Sequence, residues 1–366
     1  MTNIIGYQFW KHRGLSNHIF NLVHYILTAY NCGKQLVVMD EMYTDLFTSE
    51  TRPLNEIIDL NSLNQYLWKR YQLIMIDRRD YEKRVVLEHA TYGAENMWVE
   101  ILGQDLTNLR ENGISSKEDL YVRWGDPCPG MQKRLVLHLQ INGLKILRNY
   151  LEYGHHFIDN IPPLSISSSS LFYEQRIGWI NTIDQTSFDT LLKTFVFQPE
   201  FTDEAHSFVK NSKLETGCSV LNVLHLRTEP DALEHWSGRN DMSIDEFQAR
   251  LLKTYHRLIV QYFSKTDLIL VLTYDVENNV TLDFLRHEGY RVCWQEKKKK
   301  QGREINALYD LLAGEQCNGC FIGNFNTKLL RGSTFSYLLL TRMDPSVKKV
   351  LVDLDEIDQP EIILSA

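Results

Sequence analysis

Val220-Leu221-Asn222-Val223-Leu224-His225-Leu226-Arg227-Thr228-Glu229-Pro230-Asp231 is an apolar run that ends in polar residues at alternate positions. Such a run predicts a buried strand, and its period of two puts His225 and Arg227 on one side of the carboxyl end. Downstream, apolar runs predict strands at 268–273, 291–294, 319–322 and 349–352, with helices at 279–287, 304–316 and 327–341. Another helix, at 243–263, starts from Ser243-Ile244-Asp245-Glu246, a capping box whose Ser and Glu satisfy each other's free backbone donors. This alternation predicts a doubly wound α/β domain that binds ligands at the carboxyl ends of its strands.

Upstream, residues 4–9 predict a strand, and the turn Trp10-Lys11-His12-Arg13-Gly14 leads into a segment with Ile19, Leu22, Val23, Ile26 and Leu27 at helical spacing. Leu36-Val37-Val38-Met39 predicts a second buried strand with Asp40 and Glu41 at its end. Between 53 and 162 the pattern predicts a helix at 60–71, a strand at 73–76 and a helix at 144–153. Ile161-Pro162-Pro163 and the serines up to Ser170 carry turn chemistry. The expected organisation is an N-terminal Rossmann-like domain over 1–170, a linker over 171–215, and a C-terminal Rossmann-like domain over 216–366.

Length agrees, because 366 residues exceed what one hydrophobic core usually serves and imply about two domains. With 43% apolar and 23% charged residues the chain has the composition of a folded protein. The 39 basic and 47 acidic residues give a net charge of −8, which argues against a duplex nucleic-acid binder. No stretch reaches about 18 consecutive apolar residues, so no membrane insertion is expected, and a cytoplasmic location follows as the default. Six cysteines scattered over a long chain suit reduced thiols, Cys317 and Cys320 included. The basic run Lys297–Lys300 reads as a solvated loop.

Three segments carry candidate chemistry. Arg227 at the strand end can grip a diphosphate with two parallel hydrogen bonds, or it can pair with Glu229 or Asp231 as a structural ion pair. Phe321-Ile322-Gly323-Asn324-Phe325-Asn326-Thr327 joins a strand to an expected helix. Free backbone donors there can receive a phosphate, although Asn326 and Thr327 can equally be plain helix caps. His12-Arg13-Gly14-Leu15-Ser16-Asn17 is a glycine turn entering a helix, but it is neither the dinucleotide fingerprint nor the phosphate loop. A hydride-transferring enzyme or an ATPase is disfavoured accordingly.

Together these segments resemble the GDP-fucose-dependent transferase superfamily of protein O-fucosyltransferases and alpha-1,6-fucosyltransferases. His225-Leu226-Arg227 is similar to the family's His-Leu-Arg block, whose Arg grips the donor diphosphate. Arg13-Gly14-Leu15-Ser16-Asn17-His18 is similar to its N-terminal glycine turn, with His18 where the family has Gln. Cys320–Thr327 resembles the strand that ends in Phe-Ser-Ser, with Asn326 and Thr327 in place of the serines. Leu270-Val271-Leu272-Thr273-Tyr274-Asp275 looks like the family's strand ending in Thr-Asp, and Asp310 falls where an acidic residue precedes the last motif.

The resemblance implies a GT-B type fold of two Rossmann-like domains facing a cleft. It also implies transfer of L-fucose from GDP-fucose to a glycan or glycoprotein hydroxyl, with inversion at the anomeric carbon and no metal or other cofactor. Donor contacts are then expected from Arg13, Gly14, Asn17, His225, Arg227, Asp275, Asp310, Asn326 and Thr327, with catalysis resting on Arg227. For a general base the sequence offers His12, with Asp40 and Glu41 as competitors, or the leaving phosphate itself. Alternatives are transfer of xylose or mannose from a GDP or UDP donor, and a silent nucleotide-sugar or glycan binder.

Overall fold

A computed structural model of the chain describes residues 4–7, 9, 14–45, 48–80, 85–112, 114–115, 120–141, 144–153, 156–157, 184–274, 276–277, 279–298 and 301–363. The chain divides into two compact units. One holds Met1–Phe9, Leu22–Met42 and Arg52–Trp179; the other holds Trp10–Asn21, Tyr43–Thr51 and Ile180–Ala366. The glycine turn and the start of the first helix therefore belong to the second unit.

In chain order the first half presents β1 (Ile4–Tyr7), α1 (Leu15–Asn31), β2 (Leu36–Met39), β3 (Met42–Tyr43), β4 (Thr51–Arg52), α2 (Leu60–Tyr71) and β5 (Ile74–Asp77). β6 (Val85–Ala94), β7 (Met97–Ile101), α3 (Gly103–Asn112), α4 (Leu120–Trp124), β8 (Arg134–Ile141), β9 (Leu144–Tyr153) and β10 (His156–Phe157) follow. β1, β2 and β5 form a parallel sheet in the order β1-β2-β5. All four residues of β2 are buried, as a parallel strand covered on both faces requires. Asp59 caps α2 by accepting from the Asn61 and Ser62 amides, and Gln72 ends the helix in the left-handed conformation.

The other sheet of this unit is antiparallel, in the order β10-β9-β8-β6-β7. Its inward residues Leu135, Leu137, Leu139 and Tyr92 share one core with Leu36, Val38 and Ile76 of the parallel sheet. Residues 144–153 are strand β9, not the expected helix, and pair with β8 from Leu144↔Ile141 to Leu151↔Arg134. Outward Lys145, Leu147 and Leu151 alternate with buried Tyr150 and Glu152, so the neighbouring strand decides between two periods that this short apolar run leaves open. The Asn142-Gly143 dipeptide just before it, a hairpin signature in sequence, lies outside the described residues.

The second unit continues with α5 (Gln185–Thr194), α6 (Pro199–Thr216), β11 (Leu221–His225), α7 (Pro230–Arg239), α8 (Ile244–Tyr262), β12 (Leu268–Leu272), α9 (Val280–His287) and β13 (Arg291–Cys293). It ends with α10 (Arg303–Gly314), β14 (Cys320–Gly323), β15 (Phe325–Asn326), β16 (Arg331–Gly332), α11 (Thr334–Arg342), β17 (Lys348–Leu351) and β18 (Glu361–Ile363). Helices α5 and α6 thus occupy most of the stretch expected as a linker. Half of the predicted capping box forms, with Ser243 Oγ accepting the Glu246 amide at 3.2 Å. Phe247, Leu251, Tyr255 and Leu258 then face the core shared with β11, β12 and β14.

The sheet runs β13-β12-β11-β14-β17-β18, parallel except for the last strand. From β11 the chain first builds toward β12 and β13, then returns to place β14 and β17 on the other side. The strand order therefore reverses between β11 and β14, and helices leaving these two strands go to opposite faces and open a crevice at their carboxyl ends. After β14 the expected helix over 327–341 is replaced by the β15–β16 hairpin, and α11 begins only at Thr334. Asn326 Oδ1 closes the hairpin turn by accepting the amides of Lys328 and Leu329 at 3.0 and 2.8 Å, and that local bonding competes with helix formation.

Candidate functional site

The site sits where β11 and β14 end. Arg227 lies two residues past β11, and its amide donates to the Tyr255 hydroxyl at 3.2 Å. Its guanidinium holds Glu229 at 2.7 Å and Asp231 at 3.2 Å, so the ion pair weighed from sequence is formed. The side chain remains 24% exposed, and a guanidinium offers five donors, so pairing leaves room for a ligand. Burial works to lower the Arg227 pKa, but Glu229 and then Asp231 outweigh it, and the group is a permanent cation. Glu229 is the cap residue of α7, where the positive end of the helix dipole favours its charge.

His225 is buried, and desolvation first, then Arg227 and Lys297, push its pKa down to about 3. It is a neutral hydrogen-bonding group at any physiological pH. Its Nδ1 lies 2.7 Å from Ser336 Oγ, which also accepts the Asn324 amide at 2.8 Å. Asn324, 0% exposed, completes the junction. Its Nδ2 donates to the His225 carbonyl at 2.8 Å and its Oδ1 accepts the Tyr255 hydroxyl. One asparagine therefore ties both strand ends, α8 and the first turn of α11.

That turn is the helix start at the crevice. Ser333 caps it through the Ser336 amide, while the amides of Thr334 and Phe335 have no acceptor within the helix. Ser16, at the start of α1, reaches it with Oγ 3.0 Å from Thr334 Oγ1. The preceding residue, Leu15, donates its amide to Glu304 Oε2. Glu304 in turn is delivered by the start of α10, whose Glu304 amide donates to the Thr44 carbonyl at 2.9 Å. Gly302 makes this approach feasible, since at φ +75° a Cβ there would stand 2.4 Å from the Thr44 carbonyl oxygen.

Glu304 is 2% exposed, and its Oε1 has no hydrogen-bond partner. Desolvation pushes its pKa up to about 7, against the Leu15 amide and Arg303, which favour the charge, and with Asp45, which opposes it. Because the folded value lies above the ordinary 4.5, its stability contribution is whole below about pH 4.5 and lost as pH rises through about 7. Glu304→Gln keeps an acceptor for Leu15 without the buried charge. It is expected to melt above the wild type at pH 8, by the equivalent of roughly 2–3 kcal/mol, with the gap closing toward pH 4.5. Thermal melts at the two pH values check this, and a gap that ignores pH would refute the buried-charge account.

The other expected site residues fare differently. His12, Arg13 and Asp275 lie outside the described residues. Gly14 lies beside the Glu304 carboxylate, and Asn17 is half-buried in the first turn of α1. Asp310 is buried and pairs with Lys297, one of the cations that act on His225. Desolvation raises the Asp310 pKa and Lys297 opposes it, while Oδ1 stays without a partner. Asn326 and Thr327 are not at a helix start: Asn326 belongs to the hairpin turn and donates to Asp353. Asp40 and Glu41, at the end of β2, are paired with Arg78 and Arg79.

Tyr255, Asn324, Ser336, Glu304 and Lys297 were not anticipated as site residues. Ser333-Thr334-Phe335-Ser336 after Gly332 did carry a helix-start signal. An Asp-x-Asp sequence, Asp353-Leu354-Asp355, does follow β17, but Asp353 receives Asn326 and Asp355 pairs with Arg239 and Arg331. Trp236 packs against the core with Arg239 over its ring, and burial pushes the Cys317 and Cys320 thiols up to about 11 and 12. Among the described residues no group of three or more His, Cys, Asp or Glu is arranged to hold a metal, and no helix is long and apolar enough to cross a membrane.

Comparison with solved structures finds similarity to fucosyltransferases. POFUT1 in complex with GDP-fucose is 9% identical, with 93% of each chain covered and a TM-score of 0.48. The NodZ alpha-1,6-fucosyltransferase soaked with GDP-fucose is 13% identical, with 50% of this chain and 55% of that one covered and a TM-score of 0.33. The fucosyltransferase NodZ from Bradyrhizobium is 12% identical, over 50% and 54%, with a TM-score of 0.32. The match thus spans about half the length of the NodZ structures. No family model and no curated protein matches the chain.

Proposed function

We propose that the chain is a glycosyltransferase whose second unit binds a nucleotide-diphosphate sugar at the ends of β11 and β14. The donor in this reading is GDP-fucose and the acceptor a glycan or protein hydroxyl, with inversion at the anomeric carbon and no metal. The observation that carries it is the Asn324 junction, which fixes the strand end bearing Arg227 against the first turn of α11 at the point where the strand order reverses. A cation and a helix start held together suit an anionic diphosphate.

The chemistry follows from charge. As the bond from the anomeric carbon to the phosphate oxygen breaks, the diphosphate gains negative charge. Donors already in place stabilise that charge more than they stabilise the bound substrate. Arg227 and the free Thr334 and Phe335 amides supply such donors, and the neutral His225 holds Ser336 and with it the turn. Asp310, with one unpartnered oxygen, and Lys297 are assigned to the nucleoside side of the pocket. Arg13, Gly14, Asn17 and Asp275 complete the donor contacts that the sequence motifs suggest.

Calorimetric titration with GDP-fucose, GDP-mannose, UDP-xylose and NADH tests this reading. The expected result is measurable GDP-fucose binding, weaker GDP-mannose and UDP-xylose binding, and none of NADH. A stronger response to another nucleotide sugar reassigns the donor, and no response to any of the three sinks the proposal.

A further inference from the structure

Tyr274 stands beside Arg227 at the carboxyl edge of the parallel sheet. β11 and β12 pair with His225 opposite Leu272, and the Leu226 amide carries the ladder on by donating to the Leu272 carbonyl at 3.0 Å. Arg227 and Tyr274 each lie two residues past that pair, so the period of two turns both side chains to one side of the sheet. It is the side away from the α8 core, which takes Leu224, Leu226, Ile269 and Val271. The Tyr274 ring is 52% exposed there.

Arg303, the first residue of α10, lies over that ring with Cζ 4.9 Å from its centroid. Its amide is anchored on Asp45 Oδ2 at 3.2 Å. Its half-buried guanidinium forms no hydrogen bond or ion pair among the described residues, whereas Arg227 is already tied to Glu229 and Asp231. The crevice therefore holds a second cation that is reachable, supported by a ring and uncommitted. Asp310 falls two turns further along the same face of α10, where it pairs with Lys297.

We infer that Arg303, supported on Tyr274, reads the base of the donor by donating to O6 and N7 of guanine. The inference rests on the GDP-sugar reading above. In the order β13-β12-β11-β14 the leaving diphosphate is assigned to the β11 and β14 ends, and Tyr274 stands on the other side of Arg227, toward the Lys297–Asp310 pair on the nucleoside side. A planar base fits a ring with a guanidinium over it better than a phosphate does. A guanidinium only donates, and its fork needs two adjacent acceptors. Guanine presents O6 and N7 side by side, whereas adenine puts an amino donor in place of O6.

Calorimetry with GDP, IDP, 7-deaza-GDP and ADP on the wild type, Arg303→Ala, Arg303→Lys and Tyr274→Ala tests this, with a thermal melt of each. IDP keeps O6 and N7, 7-deaza-GDP lacks N7, and ADP lacks O6. The wild type is expected to bind GDP about 10- to 100-fold more tightly than ADP, and to bind 7-deaza-GDP between the two. Arg303→Ala should lose about 10- to 100-fold for GDP and by the same factor for IDP, while ADP stays within about threefold. It should also no longer separate GDP from 7-deaza-GDP, at an unchanged thermal midpoint. Arg303→Lys and Tyr274→Ala should each lose part of the preference, the first through the lost fork and the second through the lost support. A wild type blind to the loss of N7 and O6 overturns the base reading alone, as does an Arg303→Ala that weakens all four nucleotides equally. A wild type that binds none of the four overturns the donor reading, and the base reading falls with it.

Discussion

Arg227→Ala is expected to weaken GDP-fucose binding by about 100- to 1000-fold. Two charge-assisted hydrogen bonds to a diphosphate, at about 1.5–3 kcal/mol each and not fully additive, set that range. The substitution also leaves Glu229 and Asp231 without their cation. Glu229 is the cap residue of α7 and Asp231 is exposed, so the helix dipole and water absorb much of the loss, and the thermal midpoint should fall only slightly. Arg227→Lys keeps a charge but loses the fork, and its affinity should lie between the two. Calorimetry and melting on the same samples separate the roles. A large drop in midpoint with unchanged affinity would mean that Arg227 is a structural ion-pair residue only.

Asn324→Ala is expected to damage both fold and site. The buried His225 carbonyl loses its side-chain donor and the Tyr255 hydroxyl, which still receives the Arg227 amide, loses its acceptor, at about 1–3 kcal/mol apiece. A net loss of roughly 3 kcal/mol corresponds to a midpoint drop of about 6–12 °C in a unit of this size. Asn324→Asp should fare no better, because a carboxylate presents an acceptor to the His225 carbonyl where a donor is needed. Donor affinity should fall too, as the first turn of α11 loses its tie to the strand bearing Arg227. Equal midpoints for wild type and Asn324→Ala would show that the junction does not hold the crevice together.

Much of the second unit was legible in the chain, for reasons that are local. The β11 and β12 runs are largely apolar and wholly buried, and Ser243 caps its helix within one turn. His225 and Arg227 could be placed at a strand end because the backbone period alone sets it. What was misread had a local pattern with two solutions. Residues 144–153 carry apolar residues that suit a helix or a strand, and the β8 edge selected the strand. Residues 326–333 could start a helix early or late, and the Asn326 turn delays it to Thr334.

By itself, then, the sequence determined the α/β class of the second unit, the strand end that carries Arg227, and the helix starts that satisfy their own donors. These depend on side-chain period and on contacts within a few residues. Only the tertiary structure decided that Arg227 is already paired, that the strand order reverses between β11 and β14, and that Asn324 locks the two ends together. Only it brought Glu304 to Leu15 at the start of α1, 289 residues away along the chain. The physical reason is burial: the proton affinity of a carboxyl group and the idle oxygen that goes with it arise from what encloses the group, and no stretch of neighbouring residues encodes that.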